Sequence, residues 1–179
     1  MAVRGMSNPG IGNRLRIAGW SAAVGLLMLP AIAMQFSREV VWGPIDFLAA
    51  GVLIGGTGLV FELAVRAHCS SAYRAGAGVA LLTAFLTIWV NLAVGMIGDE
   101  DNPLNLIFAG VIAVAAGGSL LTRFRPGGMV WAMLAAAAVQ AAAILPTLAE
   151  EPRTVPLIGA FALPWLLAAA LFRAAERQG

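Results

Sequence analysis

Asp99, Glu100 and Asp101 stand side by side in the stretch WVNLAVGMIGDEDNPLN (residues 89–105) of a chain with nine acidic residues in all. Carboxylate and amide oxygens are the ligands that hard cations such as calcium and magnesium take, and Asn91, Asn102 and Asn105 fall in the same stretch. The run lacks the glycine and the distal glutamate of a calcium-binding hand, and three successive side chains do not converge on one ion without backbone help. The expectation is a solvated acidic turn, with Asp99, Glu100 and Asp101 kept as candidate cation ligands. Asn91, two residues after Trp89, is expected within an apolar helix. There it is either packing glue or, with Asn102, Asn105 and the acids, part of a polar pocket, and Gln140 is a candidate partner.

Glu62 is the one charged residue inside an apolar run. Such a group at the centre of a membrane helix costs at least about 2.5 kcal/mol on insertion scales and is a functional suspect by default. Arg66 follows at i+4, the favourable order for a helix pair, so a snorkelling ion pair near a helix end is expected, with a proton or ion relay as the alternative. His68 and Cys69 cannot close a zinc site between them. LIGGTGL (residues 53–59) fails the dinucleotide fingerprint; Gly51 and Gly55 read instead as a GxxxG packing pair, with Gly110, Gly117 and Gly118 giving close approach in a later helix. No nucleophile elbow, HExxH or P-loop motif occurs. No catalytic residue, cofactor site or enzyme activity is expected.

The elements that must position these residues follow from composition. The 179 residues are 60% hydrophobic and 11% charged, with a mean hydropathy of +0.88, which leaves too little polar surface for a soluble domain. A membrane span needs about 20 apolar residues, and only helices or closed barrels satisfy their backbone in lipid. The apolar runs predict an all-α polytopic bundle of six spans, residues 17–36, 47–65, 75–97, 104–121, 129–148 and 155–172, forming one transmembrane domain over 17–172. Residues 1–16 and 173–179 form terminal segments. The first run, with arginines before it and AIA (residues 31–33) after Pro30, is also built like a cleavable signal peptide, which would leave five spans; its apolar character continues through Met34 and Phe36, favouring an uncleaved anchor.

Nine of the eleven arginines fall on one side of this threading: Arg4, Arg14, Arg16, Arg66, Arg74, Arg123, Arg125, Arg173 and Arg177. Only Arg38 and Arg153 fall on the other, so the positive-inside rule puts both termini in the cytoplasm. Seven of the nine acids sort to the opposite face. The three turns there, REVVWGP, DEDNP and EEPRTVP, share acids followed by proline at the returning helix, and Asn102 before Pro103 is placed to cap. Scattered arginines form no basic stripe, so no nucleic-acid partner is expected despite a net charge of +2. A single cysteine allows no internal disulfide.

Trp89-Val90-Asn91 through Gly95, Gly98, Asp101, Asn102, Pro103 and Asn105, with the later Arg123-Phe124-Arg125-Pro126 turn, resembles a group of uncharacterised bacterial inner-membrane proteins of similar size. The resemblance implies a multi-pass location in that membrane and supplies no activity, since that group has no assigned substrate or cofactor. The absence of catalytic motifs and of a soluble domain, taken with the small-residue faces, leads to a non-enzymatic accessory or structural subunit whose partners are the bilayer and a membrane protein or a second copy. The alternative is a small transporter or channel for an ion or solute, with Asn91, Asn102, Asn105 and the acids as an outer vestibule and Glu62 at the inner exit.

Overall fold

The computed structural model describes residues 9–37, 40–99 and 101–178. Among them it has seven α-helices and no strand: α1 (Pro9–Phe36), α2 (Pro44–Ala67), α3 (Ser71–Val94), α4 (Leu106–Leu121), α5 (Pro126–Ala142), α6 (Ile144–Glu150) and α7 (Val155–Glu176). Short 3-10 turns at Pro103–Asn105 and Pro152–Thr154 lead into α4 and α7. Six stretches are long and apolar enough to cross a membrane: Arg16–Phe36, Pro44–Ala67, Ser71–Val94, Pro103–Leu121, Pro126–Glu150 and Pro152–Glu176. The six expected runs all reappear, with shifted ends. The third helix stops at Val94 and not Ile97, because Gly95 takes φ 71° and turns the chain. The fifth run is two helices, α5 and α6, parted at Ala143. Pro146 has no N–H to give the Ala142 carbonyl, which is the ordinary cause of such a break.

Compactness divides the chain into residues 1–60 and 61–179. In the first unit α1 and the body of α2 meet through glycines. A Cβ on Gly58 would lie 3.4 Å from the Trp20 ring and one on Gly51 3.9 Å from Leu27, while one on Gly55 would meet nothing within 4 Å. The glycines facing α1 are therefore the pair seven residues apart, two helical turns on one face, and not the expected Gly51/Gly55 pair. At the start of α2, the Asp46 carboxylate accepts from the Gly43 N–H at 2.7 Å. The Trp42 and Phe47 rings meet edge to face at 5.3 Å.

In the second unit α7 packs against α3 and α5, and α5 also against α4. Each helix contributes one stripe: Tyr73, Ala77, Ala80, Thr83 and Thr87 from α3, Phe108, Val111, Ala115 and Ser119 from α4, Met129, Met133, Ala136 and Gln140 from α5, and Ile158, Trp165, Ala168 and Phe172 from α7. Between membrane helices the solvent is as apolar as the side chains, so close packing and internal hydrogen bonds hold the bundle. The buried hydroxyls of Thr83, Thr87, Ser119 and Thr147 each donate to the carbonyl four residues back, at 2.6–2.8 Å. Each hydroxyl is thereby satisfied on its own helix and needs no partner across the bundle. The tightest approach is α4 on α5: a Cβ on Gly118 would lie 2.8 Å from Ala132 Cβ and 3.2 Å from its Cα. Gly118→Val must push the two backbones apart, an overpacking cost of about 1–3 kcal/mol that thermal unfolding in detergent should read as a lowered midpoint. Gly117→Val is the control: it meets open space and should leave stability within about 0.5 kcal/mol.

Candidate functional site

Asn91, Asn102, Asn105, Asp99 and Asp101 collect at one end of the second unit, where α3 gives way to α4, whereas Gln140 and Glu62 lie elsewhere. Gly95 caps α3, its N–H bonded to the Asn91 carbonyl at 3.2 Å. The chain then folds inward, so that Met96 and Ile97 are completely buried, and turns again at Gly98, φ 70°. Both glycines occupy the left-handed region that other residues enter only at a cost. A Cβ on Gly98 would also sit 3.1 Å from the Asn102 amide nitrogen.

Buried backbone outside a helix must find partners elsewhere, and Asn105 supplies them. Its Oδ1 accepts from the N–H groups of Met96 at 3.1 Å and Ile97 at 2.9 Å. Its Nδ2 donates to the carbonyls of Ile97 at 3.3 Å and Asp99 at 2.6 Å. Two acceptor positions and two donors are the whole capacity of a carboxamide, so this side chain is fully committed to the loop. Asn91 Nδ2 donates to the Asn105 carbonyl at 3.0 Å. Asn102 caps the next turn as expected, accepting from Leu104 N–H at 3.0 Å, and its Nδ2 donates to Glu150 Oε2 at 3.2 Å, tying the loop to the end of α6.

The three asparagines are thus brought together, but what they hold is backbone. Asp99 enters the network through its main-chain carbonyl, which accepts from Asn102 N–H as well as from Asn105. The side chains of Asp99, Asp101 and Glu150 are exposed. Glu100 lies outside the described residues. Among the described residues no group of three or more His, Cys, Asp or Glu is placed to hold a metal ion.

Gln140 is not the partner of Asn91. It lies wholly buried and donates from Nε2 to the Ile158 carbonyl at 3.3 Å, joining α5 to α7. Each amide donates instead to a main-chain carbonyl, Asn91 to that of Asn105 and Gln140 to that of Ile158. The oxygens Asn91 Oδ1 and Gln140 Oε1, and the indole N–H of Trp165, are buried without a hydrogen-bond partner.

The arginine-bearing end is organised around Tyr73, the only tyrosine, which sequence reasoning passed over. Buried among α3, α7 and the turn after α4, it donates its hydroxyl to the Phe124 carbonyl at 2.9 Å. Its ring stacks on His68 with centroids 3.6 Å apart and meets Phe172 edge to face at 5.0 Å. His68 therefore belongs to a packed cluster, while Cys69 is exposed. Glu62 and Arg66 form the expected i,i+4 pair, the carboxylate largely covered and the guanidinium exposed. The signal for Tyr73 was its place three residues after Ser70, whose hydroxyl accepts from the Tyr73 N–H at the start of α3.

The turn after α4 closes in a Schellman arrangement: Phe124 N–H bonds Ser119 O and Arg123 N–H bonds Leu120 O, both at 2.9 Å. Arg123 and Phe124 take φ 53° and 58°, where glycine is the usual occupant of the first position.

Fold and site together define an all-helical chain with six helices able to cross a membrane, whose polar residues brace its loops. Comparison with protein-family models, curated proteins and solved structures finds no match.

Asn105→Ala should be the most damaging of the asparagine substitutions. It strands two buried N–H groups at about 1–3 kcal/mol each, whereas Asn102→Ala loses a cap worth about 1 kcal/mol. Unfolding midpoints of the two variants check the order. Arg123→Gly should raise stability by roughly 1 kcal/mol by relieving the left-handed backbone, measured in the same way.

Proposed function

We propose that this chain is a non-enzymatic multi-pass protein of the bacterial inner membrane, with both termini cytoplasmic, serving as an accessory or structural subunit for another membrane protein or a second copy of itself. The observation that carries the reading is the open space at glycines within the spans. A Cβ on Gly19, Gly25, Gly55, Gly56, Gly110 or Gly117 would meet nothing within 4 Å. Glycine in a helix interior costs about 1 kcal/mol against alanine, and a lipid-facing position gains nothing from it. Membrane helices place such residues where another backbone comes close. Gly110 and Gly117, two turns apart on α4, form one such face. Nine of the eleven arginines falling on the side of the two termini supports the orientation.

The test is gentle extraction from the host membrane followed by native mass spectrometry. A second polypeptide or second copy bound to the wild type, and lost from Gly110→Leu/Gly117→Leu while the midpoint of the isolated protein holds or rises, is the expected outcome. A wild-type protein that is strictly monomeric and carries nothing overturns the subunit role.

One observation favours a second reading, a small transporter or channel: the unpartnered oxygens of Asn91, beside the loop after α3, and of Gln140, between α5 and α7, are what a hydrogen-bonding solute or a partly dehydrated cation would meet. On that reading, flux into liposomes falls in Asn91→Ala and Gln140→Leu. Flux unchanged in both variants, or no flux at all, removes it.

A further inference from the structure

The Tyr73 end of the second unit carries six arginines, Arg66, Arg74, Arg123, Arg125, Arg173 and Arg177. Two are spent inside the chain: Arg66 pairs with Glu62, and Arg74 Nε donates to the His68 carbonyl at 2.9 Å. The other four are exposed and make no ion pair or side-chain hydrogen bond among the described residues. Packing of their neighbours brings them together from two elements. Arg123 and Arg125 flank Phe124, whose carbonyl accepts from the Tyr73 hydroxyl at 2.9 Å. Arg173 follows Phe172, whose ring meets that of Tyr73 at 5.0 Å, and Arg177 lies at i+4 from Arg173, on the same side of α7. The remaining acid at this end, Glu176, lies over Gly127 at the start of α5.

Arg123 is kept there at a cost. It holds φ 53° at the helix-ending position where glycine is free of strain. Ending the helix requires that torsion and not a guanidinium, so the charge needs a reason of its own. The same turn is amphipathic: Leu120, Leu121 and Phe124 are exposed beside Arg123 and Arg125. A soluble acidic partner would use the charges alone, whereas a lipid uses both. We propose that this end of the second unit is an attachment surface for anionic phospholipids, with phosphates on Arg123, Arg125, Arg173 and Arg177 and acyl chains against Leu120, Leu121 and Phe124. A guanidinium offers phosphate two parallel donors, and each arginine near the surface adds an attraction to a net anionic headgroup that a zwitterionic one lacks. The surface rests on the reading that these helices cross a bilayer.

The experiment places the full chain in phosphatidylcholine vesicles and reads, by electron spin resonance, how strongly spin-labelled phosphatidylglycerol and spin-labelled phosphatidylcholine associate with it. Membrane integration is checked beforehand by resistance to alkaline carbonate extraction. The expected result is a preference for phosphatidylglycerol that fades at about 1 M salt, where charges are screened beyond about 3 Å. Each arginine removed should lower the preference, by up to about fivefold, while Arg153→Gln at the opposite end leaves it unchanged. Arg123→Gly separates this role from a structural one, because it should lower the preference while raising the unfolding midpoint. Equal association of the two lipids overturns the surface. So does a preference that Arg123→Gly/Arg125→Gln/Arg173→Gln leaves intact, and, should that variant not fold, a wild-type preference undiminished at about 1 M salt. A protein that carbonate strips from membranes overturns the membrane reading itself, a failure distinct from an integrated protein without lipid preference.

Discussion

A chain that leaves one helix at Val94 and enters the next turn at Pro103, yet buries Met96 and Ile97 completely, must pair the amides and carbonyls between without a ladder. In water such groups turn to solvent; in or near an apolar phase each unpaired one costs several kcal/mol. The Asn105 carboxamide removes that cost for two N–H groups and two carbonyls at once. What lies around it follows. Gly95 and Gly98 supply the two backbone reversals that aim those groups at a single side chain. Asn91 fixes the carbonyl of Asn105 and Asn102 reaches to Glu150, so α3, α4 and α6 are located by one hydrogen-bonded knot.

The remainder of the second unit is held by close approach. Gly118 against Ala132 sets α4 on α5, and Gly76 against Leu171 and Phe172 sets α3 on α7. At the opposite end Tyr73 plays a smaller version of the role of Asn105, spending its hydroxyl on the Phe124 carbonyl in a turn with two consecutive left-handed residues. The Glu176 carboxylate lies over Gly127 at the start of α5, where the positive end of a helix dipole favours it. Both ends of this unit are therefore tied by polar side chains to backbone, with an apolar body between them in which Gln140 supplies the cross-link from α5 to α7.

The helices were legible because an apolar run of 18 or more residues has one reading, and the Glu62–Arg66 pair and the Asn102 cap because both are local in sequence. The partners of Asn105 and Gln140 were not. Asn105 and Met96 are nine residues apart across a turn whose direction depends on two glycine torsions, and Gln140 meets a carbonyl eighteen residues away. Side-chain type gave the capacity of these amides and nothing about where they would spend it. The choice between Gly55 and Gly58 as the partner face for α1 was hidden for a related reason: in a helix apolar all round, no polar stripe marks which face is turned to a neighbour. The break at Ala143 was readable in Pro146, yet hydropathy averages over it.

The loop after α3 is braced from Met96 to Asp99 by the Asn105 carboxamide and is not a solvated hinge. Hydrogen–deuterium exchange of the wild-type protein in detergent, resolved to the segment between Val94 and Asn105, tests this most directly. Protection of the Met96 and Ile97 amides comparable to that inside α3, with fast exchange at Asp101, is the predicted result. Met96 and Ile97 exchanging as fast as Asp101 would mean that Asn105 does not hold them, and the account of this end of the molecule would be wrong.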